Sequence, residues 1–187
     1  MFKNAARFLS ITALLALAVP GSLTAQGACQ GESRSFDFLM GEWDVLTRNR
    51  PPEESRWYDT GTATARVYPV AAGCGMVEHW RGHAFGDFLV GFSMRAFNPQ
   101  AGQWELVLLW PNSGQPRFGA MVGGFRHNRG EFFSRAISET ADTSVTRLTF
   151  SDITPNSLRW QEDRSPDNGR TWNSGWIMEF SRREPLY

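Results

Sequence analysis

The residues most capable of chemistry are two glutamates that each share a strand face with a tryptophan. Glu78 and Trp80 are two positions apart in MVEHWRGH, and Trp160 and Glu162 have the same spacing in SLRWQEDRS. Because side chains two apart on a β-strand point to the same side, each glutamate takes the orientation of its tryptophan. If these faces point inward, two carboxylates lie among aromatic rings. With the opposite phase, both glutamates lie in water.

Six tryptophans fall within predicted strands, where such rings can line a ligand cavity or fill a core. They are Trp43, Trp80, Trp104, Trp110, Trp160 and Trp176. We expect a small hydrophobic or aromatic ligand to contact six residues, with the two glutamates orienting its polar end. These are Glu78, Trp80, Trp110, Trp160, Glu162 and Trp176.

The same glutamates allow a second hypothesis, a barrel enzyme of the isomerase, lyase or hydrolase type in which a buried glutamate acts as acid or base. The residues that neighbour the glutamate distinguish the binding hypothesis from the enzyme hypothesis. A glutamate without a cation favours proton chemistry, whereas one paired with Arg66, Arg95 or Arg159 favours a structural role. A third hypothesis is a packed scaffold without a ligand.

The sequence lacks the residues that several other kinds of function require. Lys3 is the only lysine of the chain, so no Schiff-base or phosphate-loop lysine follows it. His79 and His83 are four apart, which on a strand separates them by about 13 Å, too far to share one metal ion. The 19 basic and 19 acidic residues cancel, which argues against a nucleic-acid partner. We expect no catalytic residue, no cofactor and no metal.

Residues 1–25 have the pattern of a secretory signal peptide. Lys3 and Arg7 precede the apolar stretch FLSITALLALAV, and a small-residue cleavage site follows near Ala25. The apolar stretch is too short to span a bilayer. An uncleaved membrane anchor is the alternative, because Leu23 is bulkier than the residue usually found before such a site. We expect a periplasmic or secreted protein without a membrane span after cleavage; its oligomeric state is not readable from the sequence.

The remaining chain divides into a tail, residues 26–34, and one domain, residues 35–187. Export places Cys29 and Cys74 in an oxidising compartment, where they can pair and tie the tail to the domain. The alternative is that Cys74, flanked by glycines in AAGCGM, is a small buried thiol.

Alternation of apolar and polar residues predicts strands along nearly the whole domain. A short helix, Ser35–Met40, precedes them, with Ser35 as its N-cap. The predicted strands are Gly41–Arg48, Thr62–Val70, Met76–His83, Asp87–Asn98, Trp104–Trp110, Phe118–Arg126, Gly130–Ile137, Ser144–Ile153, Ser157–Ser165 and Thr171–Arg182. Ten strands joined by short turns form an all-β antiparallel meander, which loses its edges most completely by closing into a barrel. The alternative is an open two-sheet sandwich.

The segment SPDNGRTW contains a complete Asp-box, a pattern that predicts a tight hairpin. Its residues are Ser165, Asp167, Gly169, Thr171 and Trp172. We expect Asp167 to accept hydrogen bonds from turn amides, Gly169 to supply a positive φ, and Trp172 to cover the hairpin. Such boxes recur in sialidase propellers, but this chain has one box and no repeat at a fixed period.

Four segments together resemble a known bacterial family, the lipocalin-like (calycin-type) β-barrel domains of unknown function. They are FDFLMGEWDV, MVEHWRGH, FNPQAGQWE and SPDNGRTWNSGWIMEFSRR, and the resemblance spans most of residues 35–183. It implies a barrel with a pocket for a small, largely apolar molecule. It also implies that Gly41 and Trp43 belong to the signature at the closed end of the barrel and are structural. Haem-binding barrels present a histidine near their last strands, and residues 128–187 contain none.

Overall fold

The protein is a closed, ten-stranded antiparallel barrel in the computed structural model, which describes residues 29–111, 119–137 and 143–183. Each strand pairs with its neighbours along the chain, and the last strand pairs with the first. The predicted barrel is confirmed, and the two-sheet sandwich is wrong. The strands are β1 (Gly41–Asn49), β2 (Tyr58–Val70), β3 (Gly75–Ala84), β4 (Asp87–Asn98), β5 (Gln103–Leu109), β6 (Gly119–Arg126), β7 (Arg129–Ile137), β8 (Thr143–Ser151), β9 (Ser157–Ser165) and β10 (Asn173–Arg182).

Two short 3₁₀ segments stand where one short helix was predicted. They are Gly31–Arg34 and Asp37–Leu39, so helical structure begins earlier than expected. Ser35 is not an N-cap; it follows the first segment, and its hydroxyl donates back to the Glu32 carbonyl at 2.8 Å. The connection between the segments places Phe36, which is fully buried, inside one end of the barrel.

Trp43 and Arg182 close this end of the barrel. The Trp43 indole donates to the Leu39 carbonyl at 2.8 Å, and the Arg182 guanidinium lies 4.1 Å above the same ring. Arg182 also donates to the Met40 carbonyl at 2.7 Å. Gly41 has φ of +106°, and a Cβ there would lie 2.8 Å from Arg182 Nη1. A glycine at this position therefore lets the arginine reach the tryptophan, and we call this end the closed end.

Aromatic rings fill the closed end. Phe36 meets Trp104, Phe125 and Phe150 edge-on, with ring centroids 4.9, 4.7 and 5.1 Å apart. It also stacks on Phe132 at 5.3 Å. These contacts place large rings at the spacing typical of packed aromatic cores, so this half of the barrel is a core.

Strand β4 presents its apolar side to solvent. Phe88 and Met94 alternate along one face, and both are 48% exposed. The opposite face points into the barrel, and its central residues, Gly91, Ser93 and Arg95, are small or polar and buried. Leu89 and Phe97, at the two ends of this face, pack against the core. Which face of β4 points inward is therefore determined by the contacts of its inward residues and not by the hydrophobicity of the face.

A disulfide joins Cys29 to Cys74, with their Cα atoms 5.4 Å apart. Cys74 lies on the connection between β2 and β3, at the closed end. The bond fixes the start of the described chain to the barrel wall. The predicted signal peptide, residues 1–25, lies outside the described residues, as does Phe118, the predicted start of β6. No helix in the described ranges is long and apolar enough to cross a membrane.

The loop between β9 and β10 is held by Asp167. Its carboxylate accepts from the Thr171 backbone at 2.8 Å and from the Thr171 hydroxyl at 2.7 Å. It also accepts from the Ser165 hydroxyl at 2.8 Å, and these hydrogen bonds, those from Thr171 first, lower the pKa of Asp167 to about 2. Gly169 has φ of +87°, and its carbonyl accepts from the Trp172 indole at 3.1 Å.

Candidate functional site

A buried ion pair lies in the middle of the barrel, between β3 and β4. Glu78 Oε2 accepts from Arg95 Nη2 at 2.6 Å and from the Ser93 hydroxyl at 2.9 Å. Glu78 and Ser93 are direct cross-strand partners, and Arg95 follows two positions along the same face. The arginine and glutamate side chains are 3% and 9% exposed. Such a pair is expensive to break, because either charge alone would remain buried without a counter-charge.

The Arg95 guanidinium is also surrounded by rings. Its Cζ lies 5.4 Å from the centroid of Phe36 and 5.7 Å from that of Phe150. The pair with Glu78 uses Nη2, whereas Nε and Nη1 are buried without a hydrogen-bond partner. Arg95 therefore contacts both the aromatic core of the closed end and Glu78, and two of its nitrogens have no acceptor.

Four tryptophans occupy the other half of the interior, and we call Trp80, Trp110, Trp160 and Trp176 the tryptophan cluster. Trp176 is at its centre, 5.2 Å from Trp110 and 5.1 Å from Trp160 between ring centroids. Trp80 meets Trp110 edge-on at 5.3 Å. Trp80, Trp160 and Trp176 are buried, and Trp110 is half-buried. The cluster thus fills the end of the barrel opposite to Trp43.

Gly91 makes room for one of these rings. A Cβ at Gly91 would lie 2.3 Å from Cζ3 of Trp110, so the indole packs directly on the backbone of β4. No side chain fits between them. This contact explains part of the inverted pattern of β4, because the inward face must remain small at Gly91 and polar at Ser93 and Arg95.

A small cavity lies between the ion pair and the tryptophan cluster. The space open to the centre of a water-sized sphere is about 20 Å³, which is room for roughly one water molecule. The residues around it are Leu39, Glu78, Trp80, Gly91, Phe92, Ser93, Arg95, Leu108, Trp110, Phe150, Trp160, Met178 and Phe180. The cavity in this structure is too small for a larger molecule.

Most of the residues predicted for the site meet at this cavity. Glu78, Trp80, Trp110 and Trp160 line it. Trp176 does not line it. Its ring contacts those of Trp110 and Trp160, and its centroid lies 6.5 Å from that of Trp80. Glu162 lies apart from the others.

The Glu162 carboxylate pairs with Arg164, two positions along the same strand, at 2.9 Å. Its side chain is 19% exposed, and it is not among the residues around the cavity. Glu162 shares a strand face with Trp160, as the spacing requires, but it stands opposite Trp176 in the pairing of β9 with β10, near the strand ends. Its partner Arg164 is exposed, so the pair is near solvent.

Three residues of the site were not singled out by the sequence. Ser93 and Gly91 carry no recognisable motif, and Arg95 was one of three candidate partners for a glutamate. The other two candidates pair elsewhere: Arg66 with Glu42, and Arg159 with Glu179. A signal for Ser93 and Arg95 was present in the sequence. Together with Gly91 they occupy every second position of β4, so they share one face of the strand, and the other face is apolar.

Two indole N–H groups of the tryptophan cluster have no acceptor. These are Nε1 of Trp80 and of Trp176, both fully enclosed. By contrast, the Trp43 indole donates to a backbone carbonyl, and the Trp104 indole donates to the Ser35 hydroxyl at 2.9 Å. Buried donors without partners are uncommon in folded proteins and mark places that require an explanation.

His79 and His83 point away from the interior. Both are exposed, and their rings contact Phe92 and Phe88 on the outer face at 5.3 Å. Within residues 29–111, 119–137 and 143–183, no three acidic, histidine or cysteine side chains are grouped as a metal site would require.

A second buried carboxylate belongs to the barrel wall. Asp163 is fully buried and accepts from Arg147 Nη2 at 2.8 Å and from Gln161 Nε2 at 2.7 Å. The Arg147 guanidinium lies 4.2 Å from the ring centroid of Trp172. This network ties β8 and β9 to the loop that precedes β10 and does not reach the cavity.

Comparisons with known proteins support the fold. No protein-family model matches the chain, and no curated protein matches it. Among solved structures, the S-type phycobiliprotein lyase CPES from Guillardia theta is similar, with a TM-score of 0.52, 10% identity, and coverage of 84% of this chain and 99% of that one. At this identity the likeness shows a shared barrel fold and nothing about activity.

Two further barrels have lower TM-scores. EF1p2_mFAP2b bound to DFHBI has a TM-score of 0.44 and 13% identity, covering 82% of this chain and 100% of that one. A DUF3598-family protein of unknown function from Nostoc punctiforme has a TM-score of 0.28 and 8% identity, with coverage of 82% and 100%.

Proposed function

We propose that the protein is an exported binding protein whose barrel holds a small hydrophobic or aromatic molecule within the tryptophan cluster. One observation carries the proposal. Three rings of the tryptophan cluster, the buried ion pair and two residues with unpartnered donors, Trp80 and Arg95, line one cavity. Aromatic walls with a few convergent polar groups are typical of small-molecule sites.

Binding requires a ring to move, because the cavity holds about one water molecule. Trp110 is the ring that moves. It is half-buried, whereas Trp80 and Trp160 are 2% and 3% exposed. It also lies directly on Gly91, so its departure would leave a flat space bounded by backbone. A planar ligand would take the place of the indole and keep its contacts with Trp80 and Trp176.

The role of Glu78 in this proposal is structural. Glu78 is paired with a cation, Arg95, and also accepts from Ser93. A carboxylate paired with a cation is expected to have a structural role and not to exchange protons. Glu162 pairs with Arg164 near solvent. We therefore do not propose acid–base catalysis by either glutamate.

The small size of the cavity favours one other candidate, a packed scaffold that binds nothing in its interior. The two candidates differ in what the rings do in solution. A scaffold keeps Trp110 on Gly91 at all times, whereas a binding protein exchanges that contact for one with a ligand. The experiment below separates them.

We further propose that the chain is a member of the lipocalin-like domain family, with residues 1–25 as its signal peptide and residues 35–187 as its domain. The position of Gly41 under Arg182, and of Arg182 over Trp43, supports the assignment of the closed end. The disulfide supports export, because such bonds persist in oxidising compartments. N-terminal sequencing of the purified protein tests the signal peptide, and a sequence that starts at Met1 would contradict it.

Native mass spectrometry of the protein, purified from its own cell envelope, tests the binding proposal. We expect a non-covalent adduct that disappears on denaturation. Leu108→Phe adds a ring at the cavity and should abolish the adduct, because Leu108 is one of its walls. Val107→Phe is the matched control, since it adds the same ring at the neighbouring position, on the other face of β5. An adduct-free wild type, or an adduct retained in Leu108→Phe and lost in Val107→Phe, would contradict the proposal.

A further inference from the structure

The interior around the cavity has more hydrogen-bond donors than acceptors. Four buried nitrogens of the described interior have no partner: Nε1 of Trp80, Nε1 of Trp176, and Nε and Nη1 of Arg95. Trp80 and Arg95 both line the cavity. The remaining unpartnered buried atom of the described residues, Thr149 Oγ1, belongs to a strand position whose neighbours Leu148 and Phe150 face the core.

A ligand that complements this interior must bring acceptors. A hydrocarbon would enclose the same N–H groups and leave them unpaired, which is the costly arrangement for a buried donor. A ligand that donates, such as an amine, would add donors where donors are already in excess. Only an acceptor group facing Trp80 and Arg95 improves the hydrogen bonding of the site.

The charge of the interior determines which kind of acceptor fits. Arg95 is already neutralised by Glu78 at 2.6 Å, and both side chains are more than nine-tenths buried. A carboxylate on the ligand would place a second negative charge beside Glu78 in a region shielded from water, where like charges repel strongly. A neutral acceptor avoids this repulsion and still receives the Arg95 and indole hydrogen bonds.

We infer that the ligand is a neutral aromatic carbonyl compound, with its ring in place of the Trp110 indole and its carbonyl oxygen facing Trp80 Nε1 and the free nitrogens of Arg95. This inference rests on the proposed binding function and makes it more specific. It assigns Trp80 and Arg95 as the residues that select for the carbonyl, and Gly91 as the surface against which the ring lies.

Three probes of matched shape test the inference by isothermal titration calorimetry. They are 2-acetylnaphthalene, its hydrocarbon isostere 2-isopropenylnaphthalene, and 2-naphthoate. We expect the ketone to bind about tenfold or more tightly than either of the others, which is the selectivity that satisfying a buried donor produces. In Trp80→Phe the preference for the ketone over the hydrocarbon should fall by about threefold or more, because the ring stays and one donor is lost, while the free nitrogens of Arg95 remain. Trp172→Phe, which removes a tryptophan on the outside of the barrel, should keep the full selectivity.

Indole N–H resonances give a second and direct measurement. In protein labelled with ¹⁵N at tryptophan, the ketone should shift the Trp80 indole proton downfield, since a new hydrogen bond forms there. The Trp172 indole already donates to Gly169 and should not move. Trp80→Phe and Trp172→Phe assign the two signals by the resonance that each variant lacks, and the shift itself is measured on the wild type.

The outcomes distinguish the inference from the function on which it rests. If the ketone and the hydrocarbon bind the wild type equally, or the naphthoate binds best, the carbonyl inference is wrong and the binding function remains. If the Trp80 indole proton does not shift with bound ketone, the carbonyl is not received there and the inference is wrong. If no probe binds and purified protein carries no adduct, both are wrong.

Discussion

The Glu78–Arg95 pair is the place where a single substitution should have the largest effect on stability. Replacing Arg95 with Met keeps much of the side-chain length but leaves the Glu78 carboxylate buried with Ser93 as its remaining partner. Breaking a buried pair on one side costs about 3–5 kcal/mol of unfolding free energy. For a domain of this size, that corresponds to a fall in Tm of roughly 6–20 °C.

The double variant distinguishes a broken ion pair from a general loss of packing. Glu78→Leu alone should also cost about 3–5 kcal/mol, because it leaves the Arg95 charge unpaired among Phe36 and Phe150. In Glu78→Leu/Arg95→Met both charges are gone, and apolar replacement of a whole buried pair is often neutral or stabilising by about 1–4 kcal/mol. We therefore expect the double variant to be more stable than either single variant.

Guanidinium unfolding at pH 7, followed by tryptophan fluorescence and circular dichroism, measures this double-mutant cycle. The Glu42–Arg66 pair is the control, since its side chains are 42% and 60% exposed. Its single variants should cost no more than about 1 kcal/mol. Additive effects of the two changes at Glu78 and Arg95, or single costs as small as those of the control pair, would refute the reasoning.

Three further predictions concern other parts of the barrel. Gly41→Ala should lower stability by about 1–3 kcal/mol in chemical unfolding, because its φ of +106° is strained for alanine and the added Cβ displaces Arg182; an unchanged midpoint would contradict the closed-end geometry. Gly91→Ala should expel Trp110, which iodide quenching detects as one additional accessible tryptophan; unchanged quenching would show that the indole does not depend on Gly91. Asp167 has a pKa of about 2 in the fold against an ordinary 3.8, so its charged form stabilises the fold above about pH 4, and this contribution is lost as the pH falls through 2. The stability difference between wild type and Asp167→Asn should therefore shrink between pH 4 and pH 2 in acid unfolding, and a constant difference would contradict it.

Strand positions were readable from the sequence because alternation is a local property. Asp87–Asn98 and Ser157–Ser165 have the predicted bounds, and the other strands differ by a few residues at their ends. The inward side of β4 was not readable in this way. Its apolar face is outside, because Gly91 must admit an indole and Arg95 must reach Glu78. Both requirements come from other strands.

The site was readable to the extent that it depends on spacing within one strand. Glu78 and Trp80 lie on one inward face, as two positions along a strand must. Three arginines were candidates as the partner of an inward glutamate. That Arg95 is the partner of Glu78 depends on the register of β3 with β4, which places Ser93 opposite Glu78. Glu162 has the same spacing to a tryptophan as Glu78 but lies near the strand ends. Spacing within one strand predicts which face a side chain is on, but not how far from the end of the barrel it lies.

The seam between β1 and β10 has a consequence for how the chain reaches its native state. Arg182 donates to the carbonyl of Met40, which precedes it by 142 positions. Closing so long a loop adds little to the equilibrium cost, since each doubling of loop length costs only about 0.6 kcal/mol. It does, however, make ring closure a late event, because contacts distant in sequence form slowly. Until β10 has docked, β1 and β9 are both open edges able to pair with other chains, so aggregation of this protein should begin from chains that have not yet closed the ring.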